Sequence, residues 1–346
     1  MKKTLLTICL VWMCFSLSAQ KIIDLSGKWS FSIDRQDNGE KEKWFSHTLN
    51  DCINLPGSMP EKLKGDEVTA KTQWTGSLYD SSYYYNPYME KYRKEGNIKF
   101  PFFLTPDKHY VGAAWYQKEV NIPADWKGER ILLFLERPHI ETTVWVNGQK
   151  TGMQNSLCVP HQYDITHYVR PGKCTITIRV DNRIKEINVG PDSHSITDQT
   201  QGNWNGIVGR ICLQTTPKTY FDDIQIYPEP EQKLARVKVV IKGTGTAKVK
   251  LSAESFNTDK KHIVPAIQQE IKLNKGVTET EMVLPMGNDM LLWDEFHPAL
   301  YKLKAEVTNG KKTEIKEIQF GMRRFEIKGK WFYVNGRKTQ LRGTVE

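Results

Sequence analysis

The chain has 346 residues, of which 39% are hydrophobic, 26% charged and 11% aromatic, with a formal net charge of +9. That length is enough for two or three domains, and the composition excludes a disordered or collagen-like chain. The positive charge is spread along the sequence with no long Lys/Arg tract, which argues against a nucleic-acid partner.

Residues 1–20 read as a secretory signal: Lys2 and Lys3 precede an apolar run from Leu5 to Leu17, and the small residues Ser16, Ser18 and Ala19 stand at its end. The run is shorter than the roughly 20 residues a bilayer span takes. Cys14 lies within it and not behind a small residue at the cleavage site, so no membrane anchor is expected. The sequence therefore predicts export, to a periplasm or beyond. Cys9 and Cys14 leave with the signal, and Cys52, Cys158, Cys174 and Cys212 remain, widely spaced and without a CxxC pair. That spacing offers no zinc site. An oxidising compartment permits disulfides, but Cys174 alternates inward with Ile176, Ile178 and Val180, the pattern of a buried small hydrophobe.

From Lys21 the chain reads as short strands separated by turn signals. Trp29, Phe31 and Ile33 alternate with polar neighbours, the period of a half-buried strand, and Pro56-Gly57 marks a turn. Residues 74–92 are irregular and hold Trp74, Tyr79, Tyr83, Tyr84, Tyr85, Tyr88 and Tyr92. Such a cluster either offers flat faces on which sugar rings stack or packs against its own domain. Asn86-Pro87 predicts the start of a short helix running to about Glu95. Strands resume over 115–120, 131–135, 142–146 and 174–181, with Asn147-Gly148 as a hairpin signal. Many short strands with almost no helix predict a β-sandwich.

Beyond a boundary at Thr215–Lys218, alternation returns in Val237/Val239/Ile241, in Ala247/Val249/Leu251/Ala253 and in Tyr301/Leu303/Ala305/Val307. This pattern, over about a hundred residues, suits an immunoglobulin-like sandwich. Phe320 to Glu346 then reads as short strands, with tight turns at Lys328-Gly329-Lys330 and Asn335-Gly336 and a new strand starting at Thr339–Gly343.

The stretch FGMRRFEIKGKWFYVNGRKTQLRG resembles a junction found in glycoside hydrolase family 2, the β-galactosidase/β-glucuronidase family. Residues 113–152, 164–182 and 201–213 (QGNWNGIVGRICL) resemble that family's sugar-binding jelly-roll domain, and Leu292–Tyr301 resembles a segment of its second domain. The resemblance implies an all-β chain: a signal over 1–20, a jelly-roll over 21–217, an immunoglobulin-like sandwich over 218–327, and over 328–346 the first strand of a truncated (β/α)8 barrel. It also implies hydrolysis of β-linked glycans by two glutamates about 5–5.5 Å apart. In the family both stand on later barrel strands, so no residue here is expected to be catalytic, Glu346 included, and the fragment is expected to be inactive alone.

The sugar-contacting candidates come from the loop before the closing motif: Asp198, Asn203, Trp204 and Asn205, a carboxylate, two amides and an indole. Asp198 stands six residues before Trp204, with Gly202 between, a departure from the galactosidase spacing. The same loop could instead only close a domain interface. His161, His167 and His194 lack supporting ligands, and there is no P-loop, G-x-S-x-G or dinucleotide fingerprint, so no metal or cofactor is expected. The expected partners are a β-linked glycan and the catalytic barrel of the same polypeptide. The rival reading is a carbohydrate-binding module without catalysis, and a purely structural scaffold is a third.

Overall fold

The computed structural model describes residues 21–76, 85–99, 105–157, 159–185, 197–198 and 202–343. The signal-like segment, Tyr79, Tyr83, Tyr84, Cys158, His194 and Glu346 lie outside the described residues. The chain is nearly all β, and it divides into two compact units, Gln20–Thr216 and one formed mainly by Pro217–Glu346.

The strands of the first unit are β1 (Ile22–Asp24), β2 (Gly27–Asp34), β3 (Asp51–Leu55), β4 (Gly57–Ser58), β5 (Asp66–Glu67), β6 (Lys108–His109), β7 (Ala113–Ile122), β8 (Arg130–Pro138), β9 (Glu141–Val146), β10 (Gln149–Asn155), β11 (His161–Asp164), β12 (Gly172–Asp181) and β13 (Gly206–Thr216). One sheet runs β1-β13-β8-β11 with β4 beside β13, and the other runs β10-β9-β12-β7-β2-β3. Strands β7, β8 and β9 fall alternately in the two sheets, so the chain crosses the core at each connection. Between the sheets lie Leu133, Leu135, Ile211 and Leu213 from one side and Trp29, Phe31, Tyr116, Val144, Ile176 and Ile178 from the other. Each such side chain contributes about 1.5–3 kcal/mol by leaving water. The alternation in the sequence places these residues: Cys174, Ile176, Ile178 and Val180 all point into this core, and Cys174 is a free, buried thiol.

The outer face of the six-stranded sheet is covered as well. The segment following β2 lays Trp44, Phe45 and Leu49 over Trp115 and Trp145. The Phe45 ring stacks on Trp145 at 5.2 Å, and the Trp115 indole donates to Asp34 Oδ2 at 2.9 Å. Strand β9 is consequently buried along its whole length.

The second unit contains β14 (Tyr220–Glu229), β15 (Leu234–Phe256), β16 (Ile263–Pro285), β17 (Leu300–Asn309) and β18 (Lys312–Phe320). The two 23-residue strands β15 and β16 pair along their length, with a register shift at Gly243/Gly245. Before that corner β15 pairs with β14, and beyond it with β17, which pairs with β18. The shared strands thus serve two layers around a core that includes Val237, Val239, Leu251, Tyr301 and Leu303. Gly243 has a φ of +156°, and a Cβ there would meet Thr219 Oγ1 at 2.5 Å, so glycine suits the bend.

A meander of β19 (Phe325–Lys328), β20 (Trp331–Val334) and β21 (Arg337–Thr339) follows. Its turns use Gly329 at φ 61° and Asn335-Gly336 at φ 51° and 77°, as the hairpin signals predict. The expected new strand at Thr339–Gly343 is not formed: Thr339 ends β21 against Phe332, and residues 340–343 carry no strand. The Asn86-Pro87 signal does start a helical turn, but it is a 3-10 turn, Pro87–Tyr92, ending short of Glu95.

Candidate functional site

One end of the first unit gathers buried polar side chains from six places in the chain. Strand β8 hands over to β9 through His139 and Ile140, β12 ends at Asp181 and Asn182, and β13 is entered from Asn203–Asn205. Backbone bonds knit these ends together: His139 N donates to Gly206 O at 3.2 Å, and Ile140 N to Asp181 O at 3.3 Å. Thr75 and His109, at the end of β6, close the corner.

Asp198 is 2% exposed. Its Oδ2 accepts from Thr75 N at 2.5 Å, and its Oδ1 accepts from Asn203 N at 2.6 Å. His109 Nε2 lies 3.4 Å from Oδ2, and the His109 ring meets Trp74 at 4.6 Å. Asn203 donates to Asn182 O at 2.9 Å and to Thr75 Oγ1 at 3.0 Å, while its Oδ1 accepts from Asn182 Nδ2 at 3.0 Å. Asn205 is fully buried: it donates to Gly112 O and Val180 O, both at 2.9 Å, and accepts from the Tyr116 hydroxyl at 2.7 Å.

The four candidate residues therefore divide. Asp198, Asn203 and Asn205 hold one another and the strand ends in place with their polar atoms engaged. Trp204 is half-buried. One face of its indole stacks on His139 at 4.6 Å with the rings 16° apart. Burial pushes His139 down to about 4, against the opposing pull of its hydrogen bond with Asn203 and the Asp198 charge. The imidazole is neutral at pH 7, and its Nε2 is buried without a hydrogen-bond partner. A neutral ring behind an indole makes a flat apolar surface, a type suited to stacking on the C–H face of a sugar.

His139 and Asn182 escape a reading by sequence, because each stands among other polar residues at a strand end and nothing local marks it out. The ion network at the adjoining strand end escapes it too. Arg179, only 7% exposed along its side chain, pairs with Asp37 at 2.6 Å, Asp181 at 3.0 Å and Glu141 at 3.4 Å. Arg183 joins Asp37 and Asp181, and Lys185 joins Glu141 and Asp181. Burial would raise the fully enclosed Asp181 carboxyl, but hydrogen bonds from Arg183 and Lys185 and the Arg179 charge hold it well below the usual carboxylate range. Among the described residues, every carboxyl whose pKa clearly departs from its ordinary value is held down, Asp37, Asp164 and Asp294 being further examples. No group of three or more His, Cys, Asp or Glu side chains that could hold a metal is found among them.

Residues 22–217 match the sugar-binding domain of glycosyl hydrolases family 2, and residues 219–323 match a second domain of the same family. The chain belongs to glycosyl hydrolase family 2. Its relatives in the family include a β-glucuronidase of Paenibacillus borealis, 24% identical over 94% of this chain and 49% of the relative. A putative β-glucuronidase of Formosa agariphila is 29% identical over 70% of this chain and 28% of the relative. The β-galactosidase large subunit of Latilactobacillus sakei is 23% identical, covering 92% and 49%. The chain spans about half the length, or less, of these curated family 2 relatives. A solved structure of the Ruminococcus gnavus β-glucuronidase in complex with D-glucuronic acid superposes with a TM-score of 0.62 at 18% identity, covering 94% of this chain and 50% of that one. That likeness is one of fold.

Proposed function

We propose that this chain is the carbohydrate-engaging N-terminal part of an exported β-glycosidase that removes β-linked sugars such as glucuronides or galactosides. The observation that carries the reading is the succession of two family 2 domains over residues 22–323, in a chain spanning about half of its β-glucuronidase and β-galactosidase relatives. The chemistry is retaining hydrolysis, in which one glutamate protonates the leaving oxygen and another forms a glycosyl-enzyme intermediate. We assign both to a (β/α)8 barrel of the parent polypeptide, entered after the β19–β21 meander.

In this reading Trp204 stacks on the sugar, backed by His139, while Asp198, Asn203 and Asn205 set the position of the indole. Export rests on the signal-like residues 1–20, and N-terminal sequencing of periplasmic protein beginning near Lys21 would support it.

Two measurements on the 346-residue chain test the proposal. With 4-nitrophenyl β-D-glucuronide or galactoside the expected result is no hydrolysis, and turnover that persists through purification would overturn it. In calorimetry with D-glucuronic acid and with galactose, binding of one of them that is lost in Trp204→Ala supports the site. Binding unaffected by that change would move the site elsewhere.

A further inference from the structure

The connection between β5 and β6 contains a folded turn that leaves two tyrosines, Tyr85 and Tyr88, in solvent. Asn86 Oδ1 accepts from Tyr88 N at 2.9 Å, with Pro87 at the first position of the 3-10 turn. Asn97 Nδ2 donates to Lys91 O at 2.8 Å, and Lys99 N to Tyr92 O at 3.1 Å. Ile98 is buried and Tyr92 half-buried, so residues 85–99 form a hydrogen-bonded unit with its own apolar footing. Yet Tyr85 and Tyr88 are 83% and 85% exposed, the most exposed large hydrophobic side chains among the described residues. If the aromatic content here served packing alone, these two rings would be covered.

The surroundings are cationic. Residues 85–99 carry Lys91, Arg93, Lys94 and Lys99 against Glu90 and Glu95, a surplus of two positive charges. Lys94 reaches Glu90 at 3.5 Å, and the Lys91 ammonium sits 4.8 Å from the centre of the Tyr92 ring. Tyr85 and Tyr88 are three residues apart, at most about 11 Å along the backbone, so both rings can lie under one short run of sugar units. A tyrosine presents a broad, rigid face and a hydroxyl while giving up little rotamer freedom on binding.

We infer that the Tyr85–Lys94 turn is a docking surface for an acidic, uronate-bearing polysaccharide. The two rings stack on pyranose C–H faces, the phenol hydroxyls meet sugar hydroxyls, and the lysines face the carboxylates. The inference rests on the carbohydrate reading above, but it uses none of the residues at the His139–Trp204 corner.

The test is native electrophoresis of the full chain through gels containing polygalacturonate or neutral hydroxyethyl cellulose, with calorimetry of short galacturonate oligomers. The expected result is retardation by polygalacturonate only. Tyr85→Ala/Tyr88→Ala should weaken binding about five-fold or more, Tyr85→Phe/Tyr88→Phe should largely retain it, and Lys91→Gln/Lys94→Gln should weaken it with both rings intact. Equal urea midpoints establish that the variants fold, and the lysine pair serves if the tyrosine pair does not. The inference is overturned by no retardation of the parent, by equal retardation in the neutral gel, or by binding insensitive to both pairs. It is also overturned if the parent is a dimer that the alanine pair dissociates, because a second copy is then the occupant. Loss of small-sugar binding in Trp204→Ala reports separately on the proposed sugar site, so the two readings fail independently.

Discussion

Asn182 and Asn203 clasp each other across the end of the first sandwich: Asn182 Nδ2 donates to Asn203 Oδ1 at 3.0 Å, and Asn203 Nδ2 returns a bond to Asn182 O at 2.9 Å. Both side chains are buried, at 0% and 2% exposure. Asn203→Ala removes one partner and leaves the Asn182 amide and carbonyl without it. Unsatisfied buried groups of this kind cost about 1–3 kcal/mol each, so a loss of about 2–3 kcal/mol in a urea melt is expected. Trp204→Ala, one residue on, should cost less stability because the indole is half-exposed. It should still abolish small-sugar binding. A variant pair in which Asn203→Ala is harmless to stability would contradict the clasp.

His139 makes the same corner sensitive to acid. Its folded pKa is about 4, lowered by burial, whereas an unfolded histidine titrates near 6.5. Between those values the unfolded chain binds more protons at this position than the folded chain. Stability is therefore complete above about pH 6.5 and falls as pH drops toward 4, by on the order of 3 kcal/mol. His161 is also lowered, by its own burial, and adds in the same direction. His139→Phe keeps a ring behind Trp204 and cannot charge, so the fall in urea midpoint between pH 7 and pH 5 should shrink but not vanish. An undiminished slope would remove His139 as the titrating group.

Much of this fold is legible because alternation reports which face of a strand is dry. Ile176, Ile178 and Val180 announce the core, and Asn335-Gly336 announces its turn through a backbone that only a few residue types adopt. Alternation does not by itself report the opposite face of β12: Arg179 and Asp181 alternate outward, yet both are buried, and no local signal carries that covering. The candidate site was half legible for a related reason. The Asn203-Trp204-Asn205 stretch stands beside a recognisable glycine, but its partners Thr75, His109, His139 and Asn182 come from distant positions that only the sheet topology brings together. The same topology engages the polar atoms of Asp198, Asn203 and Asn205, a fate that residue type alone does not reveal.

Gly206, where β13 begins, permits the close approach of two backbones. Its φ is +146°, and a Cβ would stand 2.5 Å from Gly57 O and 2.8 Å from Ser58 Cα. Both are main-chain atoms of the β4 edge, which cannot rotate away, and Asn205 O accepts from Met59 N at 2.7 Å just beside them. Gly206→Ala should cost about 2 kcal/mol or more through strain and a displaced β4. It should also reduce small-sugar binding by shifting Trp204. Gly128 is the control: its φ is also positive, at +85°, but nothing lies within 4 Å of a Cβ there. Alanine at Gly128 should show the conformational cost without the collision, so equal losses at the two positions would rule out the backbone contact as the cause.

Arg179 holds the end of β12 by charge. It faces Asp37, Asp181 and Glu141, with Arg183 and Lys185 sharing the same three acids. Burial works against its charge, but hydrogen bonding to Asp37 and the Asp181, Asp37 and Glu141 charges raise its pKa. Arg179→Met keeps much of the stem but leaves a fully buried Asp181 and a nearly buried Glu141 with only the two partly exposed cations. Breaking a buried pair from one side costs about 3–5 kcal/mol, and a loss near the lower figure is expected because Arg183 and Lys185 remain. Arg179→Lys should recover only part of it, since one ammonium cannot span three carboxylates as a guanidinium does. Arg179→Met/Asp181→Asn should restore more stability than Arg179→Lys, by removing the stranded charge. If that double variant is as weak as Arg179→Met alone, the penalty lies in packing and not in the unpaired carboxylate. Melts in low and high salt decide between them, because exposed charges are screened and buried ones far less.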